Sequence, residues 1–192
     1  YKVKEGDILS MGKSQYGCRT YLSVSGGIKT EKVLGSRSQY KDITSERNIT
    51  KKVLIPIGKS DFIPKVGISL KPININYENE IMEVYPGPEF NSLNNKQKYS
   101  LLEKIYHISS LNNRMAFRLE EKLNCRLPEI WTSPVIPGTI QCTPDGSIII
   151  LMRDAQVTGG YSRIFQLNKR SLNLLSQKTT RSPIRFKLLS KV

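Results

Sequence analysis

Between Val135 and Tyr161 the chain reads VIPGTIQCTPDGSIIILMRDAQVTGGY, and this stretch limits the fold more than any other. Pro137-Gly138 and Pro144-Asp145-Gly146 are turn sequences, proline presetting one φ and glycine supplying a positive one. Between them Thr139-Ile140-Gln141-Cys142 alternates as a half-buried strand does. Ser147 to Met152 is a short apolar run rich in β-branched residues, which suits a core strand. A polar group follows, Arg153, Asp154, Gln156 and Thr158, closed by Gly159-Gly160-Tyr161. A polar loop leaving a buried strand, with glycines for close backbone approach, is a good place for a small-molecule site. Spacing alone favours the plainer reading, a hairpin connection with a solvated tip.

The rest of the chain repeats this texture. Strand signals fall at Asp7–Leu9, at Gly17–Gly27, where Tyr21, Leu22 and Val24 are strand formers, and at Lys51–Ile57. Val33–Ser38 reads as a loop of small residues around Arg37, and Pro64–Pro72 and Lys71–Asn79 as exposed connections. A boundary is expected near residue 80. Beyond it Met82–Tyr85, Ile105–Ser109 and Ile184–Leu188 read as strands, with a strand and then a short helix over Phe165–Leu175. Ser92–Glu103 is helical in composition but too sparse in leucine for a long amphipathic face. Asn113–Leu119 puts Arg114 and Arg118 four apart, on one face of either a helix or a strand. Such a pair suits a carboxylate or phosphate, and two solvated arginines would read the same way. Many short strands, frequent Pro/Gly turns and little helix predict an all-β sandwich or barrel with a few short helices.

Composition narrows the function classes. With 38% hydrophobic and 24% charged residues over 192 positions, the chain is globular in character and long enough for one sizeable core or two small ones. No apolar run reaches membrane-spanning length, so no membrane partner is expected. Cys18, Cys125 and Cys142 are far apart and odd in number, which favours reduced structural thiols and a cytoplasmic location. With His107 alone, no metal site is expected; that histidine reads as a strand residue. Thirty Lys+Arg against 16 Asp+Glu give +14, and Lys169–Lys191 contains no acid. The basic residues are dispersed and not interleaved with aromatics, so a nucleic-acid partner is not expected. An acidic protein partner suits the basic C-terminal part better.

Nucleotide loops fail on spacing. Gly58-Lys59-Ser60 would need a glycine where Val53 stands, and Gly6 lies one residue too far from Gly12-Lys13-Ser14. A single histidine gives little support to a Ser-His-Asp triad, and no Met-Lys-Met biotin-attachment sequence occurs.

Taken together, GCRTYLSVSGG (17–27), VLGSRS (33–38), YPGPEF (85–90), NRMAFRL (113–119), PGTIQCTPDG (137–146) and DAQVTGGY (154–161) carry a family likeness. In this order they resemble the KipA family, also described as allophanate hydrolase subunit 2, biotin-dependent carboxyltransferase-like, or the C-subunit of bacterial 5-oxoprolinase. Ala116-Phe117 and Ser162 depart from the Gly-Tyr and Pro common there.

The resemblance implies two cyclophilin-like β-barrel halves. Residues 1–80 would be the C-terminal part of the first, 81–192 the second, and a portion preceding Tyr1 would be missing. It also implies an ATP-dependent complex with an A-subunit plus a KipI-like B-subunit, opening 5-oxoproline to glutamate, with ATP bound outside this chain. Alternatives are a urea- or allophanate-type carboxyltransferase component using biotin, and a non-catalytic regulator of a KipI-like kinase inhibitor. For a small amide or lactam, Asp154, Arg114 and Gln141 are the expected catalytic residues. Arg37, Arg118, Gln156, Thr158, Gly159 and Tyr161 are the expected substrate contacts.

Overall fold

Alternation builds the barrel strand by strand. Met82 and Val84 of β1 (Ile81–Pro86), Tyr106 and Ile108 of β2 (Tyr106–Asn112), and Phe117 and Leu119 of β3 (Ala116–Leu119) point inward and are buried. So do Ile140 and Cys142 of β5 (Thr139–Cys142), Ile148 and Ile150 of β6 (Ile148–Leu151), and Ile184 and Phe186 of β9 (Pro183–Leu188). With β8 (Ser162–Leu167), seven strands close a barrel in the order β1-β8-β5-β6-β3-β2-β9. Parallel pairing of β1 with β9 completes the circle; the other neighbours are antiparallel. Closure leaves the barrel no free edge. Inside, the Phe165 and Phe186 rings stand 5.6 Å apart, with Phe90 stacked on Phe165 and Tyr106 tilted against Phe186. A separate two-stranded ribbon pairs β4 (Ser133–Pro134) with β7 (Thr158–Gly159).

The helices are short and well capped. Asn94 and Gln97 form a reciprocal capping box at α1 (Asn95–Glu103), which buries Leu101. Asn168 caps α2 (Lys169–Leu175) and donates to Glu83 at 2.6 Å, while Ser171 accepts from the Glu83 N–H, clipping the helix to β1. Asn113–Leu119, open between helix and strand in sequence, resolves as a turn followed by β3. The Asn113 carboxamide accepts from the N–H groups of Met115 and Ala116. His107 lies on β2 as expected. Both its ring and its backbone N–H engage the Glu121 carboxylate, at 2.6 and 2.7 Å. Burial alone would raise that carboxyl, but the hydrogen bonds from His107 outweigh it and hold it below its usual value.

The computed structural model describes residues 1–40, 42–45, 48–60 and 75–189. They fall into two units, Tyr1–Gly12 with Thr20–Ile73, and Lys13–Arg19 with Asn74–Val192, the latter carrying the barrel. In the first unit the expected strands at Asp7–Leu9 and Lys51–Ile57 do not form, nor does the one expected over Gly17–Gly27, of which Thr20–Gly27 lies in this unit. Among the described residues it holds only isolated bridges, Ile28 with Ile57 and Val33 with Ser36. Lys29 donates to Pro56 and Gly58 to Gly27, so two chain segments touch for one bridge and then part. Strand-forming side chains cannot hold a ladder without a neighbour along their length. The expected loop Pro64–Pro72 lies outside the described residues. No helix among the described residues is long and apolar enough to cross a membrane.

Candidate functional site

Register sets a row of side chains on the outer face of the barrel. Arg118 of β3 is paired with Ile149 of β6, Ile149 with Gln141 of β5, and Gln141 with Arg163 of β8. A shift in pairing between Ile140 and Gln141 brings Arg163 to this position. Outward residues of a barrel wall meet solvent unless something covers them, yet Gln141 is only 2% exposed. The β4–β7 ribbon is the cover. A Cβ on Gly159 would lie 2.7 Å from the Gln141 amide nitrogen, so the ribbon approaches this closely only with glycine there. Gln141 Nε2 donates to the Tyr161 carbonyl across a long 3.5 Å, and Oε1 accepts no hydrogen bond from the described residues. A buried carboxamide held this loosely can offer a donor and an acceptor to a small amide.

Beside it a cleft of about 220 Å³ opens between Gly87, Pro134, Thr139, Arg163, Phe165 and Gln166. Its walls are fixed. Arg163 grips both oxygens of Glu89 (Nη2 at 2.8 Å, Nε at 3.0 Å), and its Nη1 donates to the Pro134 carbonyl at 3.1 Å. The side-chain hydrogen bonds from Arg163 hold the Glu89 carboxyl below its ordinary range, and the same bonds raise Arg163. The Thr139 hydroxyl donates to Gln166, which donates in turn to the Pro137 carbonyl. Gly138 allows that approach: its φ is +93° and an added Cβ would sit 2.6 Å from the Gln166 amide nitrogen. One guanidinium therefore ties the YPGPEF loop, β8 and the ribbon around a cleft with apolar walls and polar corners.

Of the expected site residues, the structure brings together Gln141, Gly159 and Tyr161, with Thr158 beside them in β7. Part of the expected polar loop is thus a ribbon strand. Arg118 stands in the same outer row, exposed. Arg114 and Asp154 meet elsewhere, past the ends of β3 and β6, as a half-exposed ion pair at 2.9 Å, with the Asp154 N–H donating to the Arg114 carbonyl. The face expected to be shared by Arg114 and Arg118 does not extend to Arg114, because the Asn113 turn takes it off the strand. Gln156 is exposed in the connection before β7. Arg37 belongs to the first unit, where its guanidinium donates to the Thr30 carbonyl. Sequence reasoning missed Arg163, Glu89, Thr139 and Gln166. Glu89 lies inside YPGPEF, and Arg163 two residues past the Gly-Gly-Tyr element.

Across residues 1–188 the chain matches the family model described as carboxyltransferase domain, subdomain A and B. The chain belongs to this family. It is 31% identical to the 5-oxoprolinase C-subunit of Escherichia coli, over 96% of this chain and 60% of that protein. Identity to the 5-oxoprolinase C-subunit of Haemophilus influenzae is 28%, over 99% of this chain and 62% of the relative. The chain thus spans about 60% of the length of these curated relatives. Among solved structures it is similar to the Kluyveromyces lactis urea carboxylase, with a TM-score of 0.70 and 25% identity, covering 98% of this chain and 19% of that one. The all-β barrel expected from the resemblance is the fold observed, and the family expected is the family found.

Proposed function

We propose that this chain is part of the C-subunit of an ATP-dependent 5-oxoprolinase and contributes the surface that holds the lactam. The observation that carries this reading is Gln141, a buried and weakly engaged carboxamide under a ribbon, in a chain 31% identical to a 5-oxoprolinase C-subunit. Once the ribbon lifts, the Gln141 carboxamide would pair with the lactam N–H and C=O, fixing the ring for opening. Arg118, two strands away and so about 10 Å across the sheet, meets the substrate carboxylate. The ribbon residues Thr158, Gly159 and Tyr161 shut out water, with Gln156 at their rim. Asp154, already paired with Arg114, serves as general base or as orienter of that loop. The part of Arg37 is read by substitution.

ATP supplies the free energy of ring opening. Nucleotide binding is assigned to another chain of the complex. The partners are an A-subunit plus a KipI-like B-subunit, in a cytoplasmic complex. Residues 1–80 are read as the end of a first cyclophilin-like half and 81–192 as the second. A urea- or allophanate-type carboxyltransferase using biotin is the second reading, favoured by the likeness to urea carboxylase; Gln141 would serve urea, itself an amide, in the same way.

The test mixes the full-length protein with its cognate partners and follows ATP-dependent glutamate formation from 5-oxoproline, omitting each component in turn. Turnover is expected to vanish without this chain. Full turnover in its absence overturns the reading; a complex that forms but carboxylates urea from carboxybiotin transfers the site to the second one.

A further inference from the structure

Two of the three cysteines, widely separated in sequence, meet in the barrel. Cys142 ends β5 with its side chain inward, and Cys125 sits in the segment between β3 and β4 that crosses toward it. Their sulfurs are 3.3 Å apart, both buried and both free thiols. The segment carrying Cys125 is pinned on both sides of that residue, beyond it by the Ser162 hydroxyl, which donates to the Pro128 carbonyl at 2.9 Å. Leu123 donates to the Gly146 carbonyl at 2.9 Å, Lys122 pairs with Asp145, and Cys125 donates to the Leu123 carbonyl at 2.8 Å. The phenol oxygen of Tyr106 is buried and has no hydrogen-bond partner among the described residues. The segment is therefore held on both sides of Cys125, and closing the contact needs only a small further approach of two sulfurs already touching.

We infer that Cys125 and Cys142 form a redox-sensitive pair that closes to a disulfide. Cys125, the more exposed of the two at 9% against 1%, attacks a low-molecular-weight disulfide and expels one thiol, giving a mixed disulfide. Cys142 then attacks the Cys125 sulfur, forming the internal bond and expelling the second thiol. The two protons leave with the two expelled thiols, and the two electrons reduce the reagent. Burial, then the hydrogen bond to Cys125, pushes the Cys142 thiol above its usual range, so it is the slower, resolving partner. The bond would fasten the Leu123–Leu127 segment to the end of β5, next to Gln141. The pairing stands on geometry within the barrel and holds whether or not the oxoprolinase reading does.

Oxidised glutathione, added to the full-length protein, tests this. Thiols are then alkylated under denaturing conditions and peptides mapped without reduction; exposed Cys18 reports that the reagent acted. The expected result is a linked Cys125–Cys142 peptide, a melting temperature raised by several degrees, and full reversal by dithiothreitol. Cys125→Ala and Cys142→Ala, each removing only the sulfur, should both abolish the shift. Free alkylation of both buried cysteines while Cys18 is glutathionylated overturns the proposal, as does a lasting mixed disulfide on Cys125 with Cys142 still free.

Discussion

The barrel and the first unit use much the same residues and reach opposite results. In the barrel, Met82, Val84, Ile108 and Ile150 are wholly buried, each on a strand hydrogen-bonded to neighbours on both sides. In the first unit, Leu22, Ile8 and Leu54 are as good strand formers by type, yet they are 60%, 90% and 94% exposed. The difference teaches that strand propensity is a property of a residue with a neighbour. Ile149 has β3 on one side and β5 on the other, whereas Tyr21-Leu22 has no ladder among the described residues.

The contrast breaks or holds at Phe165. Its ring touches both Phe90 and Phe186, so Phe165→Ala should cost about 3–5 kcal/mol in denaturant unfolding, whereas Leu22→Ala should stay within about 0.5 kcal/mol. Equal costs at the two positions would end the comparison.

Arg163 sharpens it within the barrel. Arg163→Ala leaves a mostly buried carboxylate alone and should cost about 2 kcal/mol by the same measurement. Glu89 adds a pH signature. Its folded pKa is lowered, so its contribution is present above the unfolded value of about 4.3 and is lost as pH falls through the lower, folded one. Melting curves of Glu89→Gln and the parent protein should differ at neutral pH and converge in acid.

Gly159→Ala separates site from scaffold. Its methyl would press on the far end of Gln141, a side chain able to yield, so turnover should fall several-fold while the melting temperature scarcely moves. Smallest of all, Asp154→Ala breaks an exposed pair and should change stability by less than about 1 kcal/mol.

Much of the barrel was legible because its strands advertise themselves twice, by alternation and by the turns that bound them. Thr139–Cys142, Ile148–Leu151 and the closing strand at Pro183–Leu188 were read close to where they lie. The first unit was misread because Tyr21, Leu22 and Val24 show propensity without showing whether a partner strand exists. At the site, Gln141, Gly159 and Tyr161 were reachable since one continuous stretch carries them. Glu89 and Arg163 were not, being 74 residues apart and joined only through register. Arg114 shows the converse failure: spacing placed it with Arg118, and a single asparagine turn removed it.

The most direct test of the account is steady-state turnover of 5-oxoproline by the reconstituted complex carrying Gln141→Leu, which keeps the volume under the ribbon and removes the amide. Losing two neutral hydrogen bonds of about 1 kcal/mol each predicts a fall of about thirtyfold in kcat/KM with folding intact. Unchanged kcat/KM in a folded, assembled complex would contradict the claim that the surface beneath the ribbon holds the substrate.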